Sequence, residues 1–254
     1  MTATTPDRVT YVGHATVLAE LDGARLLTDP VLRSRVGPLR RHGPPPADDL
    51  TDDLDAILIS HLHHDHADLP SLRRIDRDLP ALVARGAGRF LTRRGFTAVS
   101  ELAPGDSARV GEVTVTAVEA RHPTERRLER DSEAIGFLLE GDGRRLYFAG
   151  DTDLFDGMGQ LGDDLDLALL PIWGWGPTIG PGHLDPERAA RAAALLRPRI
   201  AVPIHWGTLY PFGLARLRPG PLRSPAREFA TWMRELAPQV ETRVLAPGEA
   251  TSLS

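Results

Sequence analysis

Residues 60–68 read Ser60-His61-Leu62-His63-His64-Asp65-His66-Ala67-Asp68, and this stretch holds four of the nine histidines in the chain. Imidazoles packed this closely repel one another once protonated, and with two carboxylates beside them they leave many polar atoms to satisfy. A divalent cation answers both demands. A solvated turn has no use for so many histidines. The apolar run Ile57-Leu58-Ile59 leads into the stretch and reads as a buried strand, so the cluster lies where a strand ends and a loop begins.

The same logic recurs at Asp29, His122, Asp151, His183 and His205, each of which follows a predicted strand, His183 after an intervening loop. Side chains carried on the tips of separate strands make a rigid polar pocket on a sheet scaffold. Loops after the same strands carry Trp173, Trp175 and Tyr210, which are read either as walls of that pocket or as ordinary packing. Arg121, Arg126, Arg127 and Arg130 flank His122 and either greet an anionic substrate or form a solvated charge run.

The elements that would position these residues follow from alternation and turn signals. Val9 to Leu21 and Arg25 to Thr28 read as two strands joined at Asp22-Gly23, ending at Asp29-Pro30. Val36 to Asp49, rich in Gly and Pro, reads as an irregular loop. Short helices are predicted over Pro70–Ile75 and Gly86–Arg94, with strands over 81–84 and 97–100. Hairpins follow at Ser107–Val118 and Ile135–Ala149, the second closed by Gly141-Asp142-Gly143. A buried strand at Asp166–Leu170 precedes the Gly-, Pro- and Trp-rich segment Trp173–Gly182. Asp185 then caps a helix over Pro186–Leu196. A strand at Ile200–Pro203 runs into His205, a helix spans Pro225–Leu236, and a last strand covers Val240–Leu245. Hairpins followed by mixed β/α structure, twice over, are best satisfied by two sheets with helices outside, an α+β arrangement.

Composition sets the limits. With 254 residues, 41% hydrophobic and 26% charged, the chain has ample material for one large domain over residues 1–254. A net charge of -5 does not invite nucleic acid. There is no Cys, so any metal must rest on His, Asp or Glu, and every basic residue is Arg, which removes a Lys nucleophile. Met1 to Asp7 offers no apolar signal core, and no window is apolar over the length of a spanning helix. A cytoplasmic protein without membrane insertion, with a homo-oligomer left open, is the expectation.

His61-Leu62-His63-His64-Asp65-His66 resembles the HxHxDH motif of the metallo-β-lactamase fold hydrolases, and His122, Asp151 and His205 are similar to the later ligand positions in the right order. Tyr11-Val12-Gly13-His14-Ala15-Thr16, Leu27-Thr28-Asp29-Pro30, Gly182-His183-Leu184-Asp185-Pro186-Glu187 and Ile204-His205-Trp206-Gly207-Thr208 look like the branch containing N-acyl-phosphatidylethanolamine phospholipase D and ascorbate-phosphate lactonases. The resemblance covers nearly the whole chain and implies a four-layer αββα sandwich with metals at the sheet edges. It implies two divalent ions, one on His61, His63 and His122, the other on Asp65, His66 and His205, with Asp151 bridging. Three neutral imidazoles suit Zn²⁺, with Mn²⁺ or Fe as alternatives, and two ions about 3.5–4 Å apart can share a hydroxide nucleophile. Asp29 and His14 take supporting roles in this reading, orienting ligands; a strand-end cap is the plainer role for Asp29. Asp68 either supports a ligand or caps the next helix, and His64 is not a ligand in the family. His183 and Asp65 are the candidate catalytic side chains, His183 contacting a phosphate or transition state or giving a proton to the leaving group.

The implied activity is hydrolysis of a phosphodiester, lactone or related ester of a small, anionic molecule. His122-Pro123-Thr124-Glu125 lacks the aromatic pattern expected of the phospholipases, which argues against a phospholipid substrate. An iron-dependent oxidoreductase on the same fold and a non-catalytic metal-binding protein remain as alternatives.

Overall fold

The computed structural model describes residues 7–123, 132–162 and 164–253, so Arg126, Arg127 and Arg130 lie outside the described residues. The chain begins with β1 (Arg8–Gly13), β2 (Thr16–Leu21) and β3 (Ala24–Thr28), then β4 (Arg35–Val36), β5 (Leu39–Arg41) and β6 (Ala56–Ile59). Next come α1 (Leu69–Leu72), β7 (Ala81–Ala84), α2 (Gly88–Thr92) and β8 (Val99–Leu102). The second half opens with β9 (Ser107–Val110), β10 (Val113–Glu119), β11 (Ile135–Gly141), β12 (Arg144–Phe148) and β13 (Leu167–Pro171). It closes with α3 (Pro186–Leu196), β14 (Ile200–Ile204), β15 (Leu209–Pro211), α4 (Ser224–Leu236), β16 (Glu241–Thr242) and β17 (Ala250–Ser252).

Two seven-stranded sheets result, ordered β17-β1-β2-β3-β6-β7-β8 and β16-β14-β13-β12-β11-β10-β9. Each is antiparallel at the hairpins and parallel beyond them, β3 running parallel to β6 and β12 parallel to β13. The inner faces pack together through Val17, Leu26, Leu58, Val115, Phe137 and Phe148. The outer face of the first sheet packs against α1 and α2 through Ile57, Ile59, Leu72 and Leu91. The outer face of the second is covered by α3 and α4 through Tyr147, Ala168, Ala190 and Phe229. This is the four-layer αββα sandwich, and it explains why β6, β7, β13 and β14 are apolar on both sides: helices and the opposite sheet bury both faces.

The local predictions meet several corrections. Val9 to Leu21 is two strands, because the chain turns at Gly13-His14 and β1 pairs back onto β2. The stretch Val36 to Asp49 is not wholly irregular: β4 and β5 join β15 in a small third sheet around Val31, Val36, Leu39 and Leu209. The last predicted strand shrinks to β16, and β17, not anticipated, closes the first sheet against β1. The α3 boundaries agree, with the Asp185 carboxylate accepting from the Arg188 N–H at 2.8 Å.

The topology brings the site together. Strands β1, β3 and β6 of the first sheet run the same way, and their carboxyl ends deliver His14, Asp29 and residues 60–66. Strands β10, β12 and β14 of the second deliver His122, Asp151 and His205. The sheets touch at this edge, where the Ile135 N–H donates to the Ser60 carbonyl at 3.0 Å. Gly150 (φ +61) is required there, since a Cβ would lie 2.9 Å from both the Ile135 carbonyl and Ser60 Cβ.

Candidate metal centre

Residues 60–66 leave the end of β6 and fold into a turn in which the His66 and Ala67 N–H groups donate to the His63 carbonyl. His61, His63, Asp65 and His66 are buried, whereas His64 faces solvent. Each of four histidines has one ring nitrogen committed to an acceptor. His66 Nδ1 donates to Asp29 Oδ2 at 2.7 Å, His122 Nδ1 to the Gly182 carbonyl at 2.9 Å, and His205 Nδ1 to the Trp173 carbonyl at 2.9 Å. His61 Nδ1 lies 3.0 Å from Ser60 Oγ, which itself donates to Asp29 Oδ2 at 2.6 Å and is therefore the acceptor toward His61. A carboxylate and two carbonyls can only accept, so in all four rings Nδ1 carries a proton, and in the neutral ring Nε2 presents a lone pair.

Those lone pairs converge in two groups. His66 Nε2 and His205 Nε2 face each other at 3.1 Å, and His122 Nε2 lies 3.0 Å from His63 Nδ1. His61 Nε2 is fully buried without a hydrogen-bond partner, as is Asp151 Oδ1. Neutral His66 and His205 would oppose lone pairs at 3.1 Å, and orphaned buried polar atoms cost about 1–3 kcal/mol per unsatisfied group in a protein interior. A cation between them turns the repulsion into coordination, so the donor set fits divalent metal, and the all-N/O composition suits Zn²⁺, Mn²⁺ or Fe. The donor atoms that could share an ion fall into overlapping sets: His61, His63 and His122; His61, His66 and Asp151; Asp65, His66 and His205 with His14; and His122, Asp151 and His183. Asp151 stands between them, Oδ2 at 3.1 Å from His66 Nε2 and 3.9 Å from His61 Nε2, Oδ1 at 3.3 Å from His205 Nε2.

The electrostatics point the same way. Burial, then the neighbouring His66 and His122, holds His61 well below its ordinary pKa, and burial lowers His122, so both rings stay neutral and available as ligands. Burial disfavours the charged forms of Asp65 and Asp151, yet the surrounding histidines outweigh it and hold both carboxyls well below the usual range. His66 is also disfavoured as a cation by burial, but the Asp151 and Asp29 carboxylates raise it well above its ordinary value. Buried negative charge here calls for a positive partner.

Supporting contacts are dense. Asp29 accepts from His66, the Ser60 hydroxyl and the Ser60 N–H, so one carboxylate holds a histidine of each group, directly or through Ser60. His14 Nε2 donates to Asp65 Oδ2 at 2.9 Å, and burial with the adjacent His205 pushes its pKa down to about 3, leaving it a neutral donor. His14, Asp29 and His205 all have left-handed backbones (φ 59, 36 and 62), each costing about 1–3 kcal/mol that local hydrogen bonds must offset. The His14 N–H donates to Tyr11 and Thr208 oxygens, His205 N–H to the His14 carbonyl, and Asp29 N–H to the Leu58 carbonyl. Asp68 has the other of its two roles: it caps α1 through the Ser71 N–H and pairs with Arg33.

A cavity of about 260 Å³ opens onto the cluster, lined by His63, Asp65, Asp151, His183 and His205 on one side and residues 174–180 on the other. His183 is half-buried, with Nε2 at 3.4 Å from Asp151 Oδ2 and Nδ1 turned to the Pro181 carbonyl at 3.1 Å. Burial lowers its pKa, but the Asp151 carboxylate outweighs this and raises it. Trp175 lines the cavity. Trp173 does not: its indole donates to the Gly176 carbonyl, and its contribution is the carbonyl that holds His205. Tyr210 is likewise no wall; β15 pairs with β5 and turns its ring inward, where the hydroxyl donates to the Arg218 carbonyl. Arg121 pairs with Glu119. The sequence reading missed Ser60 as the relay between Asp29 and His61, although Ser60 stood inside the motif. It also missed the Gly182 and Trp173 carbonyls, for which a sequence carries no signal because every residue has one.

Strand ends that gather buried imidazoles and carboxylates around shared lone-pair sites define a metal-binding αββα protein. Residues 24–206 match the family model described as a beta-lactamase superfamily domain. The chain belongs to the metallo-β-lactamase superfamily, in the family of metal-dependent hydrolases that includes a Rubrobacter xylanophilus protein 35% identical over 255 residues, with 95% of each chain covered. It is 34% identical over 232 residues to the N-acyl-phosphatidylethanolamine-hydrolyzing phospholipase D 1 of Caenorhabditis elegans, covering 80% of this chain and 64% of that protein. It spans 61% of the length of mycobacterial relatives that are 37% identical. Among solved structures, a metallo hydrolase from the archaeon Ignicoccus hospitalis superposes with a TM-score of 0.74 at 27% identity, covering 97% of this chain and 98% of that one. No helix of the described residues is long and apolar enough to cross a membrane.

Proposed function

We propose that this protein is a binuclear metallo-hydrolase that cleaves a phosphodiester, lactone or related ester in a small anionic molecule. The observation that carries the reading is the pair of lone-pair clusters meeting at Asp151. In this reading His61, His63 and His122 hold one ion, Asp65, His66 and His205 the other, and Asp151 bridges them. Bound divalent ions would supply Lewis acidity and water acidified to a pKa of about 7.

The remaining work falls to the chain itself. Asp29 and His14 keep the ligands in one orientation, so little reorganisation accompanies the reaction. His183 faces the cavity beside Asp151, whose carboxylate raises its pKa, which suits it to protonate a departing alkoxide. Trp175, Pro177 and Ile179 give the cavity an apolar flank that excludes water from one side of the substrate. A phosphodiester is favoured by the phospholipase D activity for which the nematode relative is named; a cavity of about 260 Å³ favours a compact substrate over a diacyl lipid.

Metal analysis of purified protein is expected to find two zinc equivalents, with turnover of phosphodiester or lactone substrates. Stoichiometric iron with visible absorbance would turn the assignment to redox chemistry. Asp151→Ala is expected to strip metal and activity together; a variant that kept both would end the bridging role.

A further inference from the structure

Away from the metal-ligand cluster, a cavity of about 270 Å³ lies between the C-terminal ends of α1 and α2. Its lining consists of Leu69, Leu72, Arg73, Arg77, Arg93 and Arg94, with no carboxylate among them. Several arginines elsewhere are matched with acids, among them Arg25 with Glu20, Arg33 with Asp68, Arg85 with Glu133 and Arg144 with Asp166. Among the described residues none of the four cavity arginines has an acidic partner. Each adjacent carboxylate accepts a hydrogen bond elsewhere, Asp76 from the Asp78 N–H and Asp78 from the Thr97 hydroxyl.

Two of the guanidinium groups are held without being neutralised. Arg77 lies over the Phe96 ring at 4.7 Å, and Arg94 over the Phe90 ring at 3.7 Å. Stacking fixes the planes of the forks, and although Arg94 Nη1 donates to the Phe90 carbonyl, the remaining N–H donors of the fork stay available. Burial, then the charges of Arg73 and Arg93, lowers the pKa of Arg94, a sign of like charges crowded together. In a chain of net charge -5, such a group is out of keeping with the rest of the surface.

We propose that this cavity is a second ligand site, which binds a small soluble anion bearing two phosphoryl groups, such as pyrophosphate or the diphosphate of a nucleotide. Two phosphoryl groups carry about three to four negative charges near neutral pH, a match for four guanidinium groups. Planar forks bind phosphate oxygens two at a time, which selects phosphoryl groups over halide. The leucines form an apolar floor that strengthens each charge contact.

Calorimetric titration of the metal-loaded protein with inorganic pyrophosphate tests this. Saturable binding is expected, weakened at least about tenfold in the double variant Arg77→Gln/Arg94→Gln. The pair Arg73→Gln/Arg93→Gln, both exposed and outside the aromatic contacts, is expected to weaken binding similarly and serves if the first pair fails to fold. Arg109→Gln, which removes a charge paired with Glu112 on the other sheet, is expected to leave it unchanged. Because the metal cluster can also take up pyrophosphate, only the component sensitive to these arginines counts. Absence of binding, or binding equal in all variants, overturns the proposal. So does an arginine-dependent association with phosphatidylglycerol vesicles without any for pyrophosphate, which would make the occupant a membrane surface.

Discussion

The first sheet anchors His61 and His66 through one buried carboxylate, Asp29, whereas the second sheet's His122 and His205 are anchored by main-chain carbonyls at Gly182 and Trp173. The first pair is wholly buried; His122 is partly exposed and shares its surroundings with the cavity. Both carbonyls of the second group come from the segment between β13 and α3, the same segment that lines the cavity. One pair is thus oriented by a fully buried side chain, the other by a loop that also lines the cavity.

The comparison can be broken or sharpened by substitution. The largest expected effect is His183→Gln, in the same loop yet outside the proposed ligand set. Turnover should fall by about 10²–10⁴-fold with both metal equivalents retained, and the fall should be least for substrates with good leaving groups. Retained turnover would remove His183 from the chemistry. Asp29→Ala comes next. A chelator competition should show about 10–100-fold weaker metal binding, and both equivalents should suffer, because Asp29 serves His66 directly and His61 through Ser60. Loss confined to one equivalent would refute the relay.

Gly182→Ala should act on one side only. Its φ is +75, and a Cβ would lie 2.2 Å from Pro123 Cδ, so the carbonyl that holds His122 must shift. A loss of about 1–3 kcal/mol in thermal unfolding is expected, with the ions of the His122 side weakened and those of the His205 side intact. The smallest effect concerns acid stability of metal-free protein. The folded pKa of His14 lies near 3, below its unfolded value of 6.5, so the unfolded state takes up its proton first. The contribution is complete above about pH 6.5 and declines as pH falls toward 3. His14→Gln, which keeps a donor for Asp65 but does not titrate, should flatten that part of a Tm-versus-pH curve.

Much of this architecture was legible in residue order. The metal motif, the strand-end positions of Asp29, His122, Asp151 and His205, and the hairpin-then-β/α order repeated in each half all rest on local patterns of period two, turn residues and caps. β17 was not legible, because three residues with one buried position gain strand structure only by pairing with β1 at the other end of the chain. The Gly- and Pro-rich stretch after Val36 hid β4 and β5 for the same reason: β5 acquires its partner from β15, far along the sequence. Tyr210 was placed on the pocket by its position after a site strand, and pairing in that third sheet turned it away.

The sequence alone determined the donor types, their spacing and the exclusion of thiolate chemistry, since these depend only on which side chains exist and how far apart they sit along the chain. Only the tertiary structure decided which nitrogen of each histidine faces inward. That choice depends on acceptors brought from other strands: Asp29 through Ser60, and two carbonyls whose presence no side chain announces. The arginine cavity has the same character, because Arg73 and Arg77, which follow α1, meet Arg93 and Arg94, which follow α2, only in the folded chain.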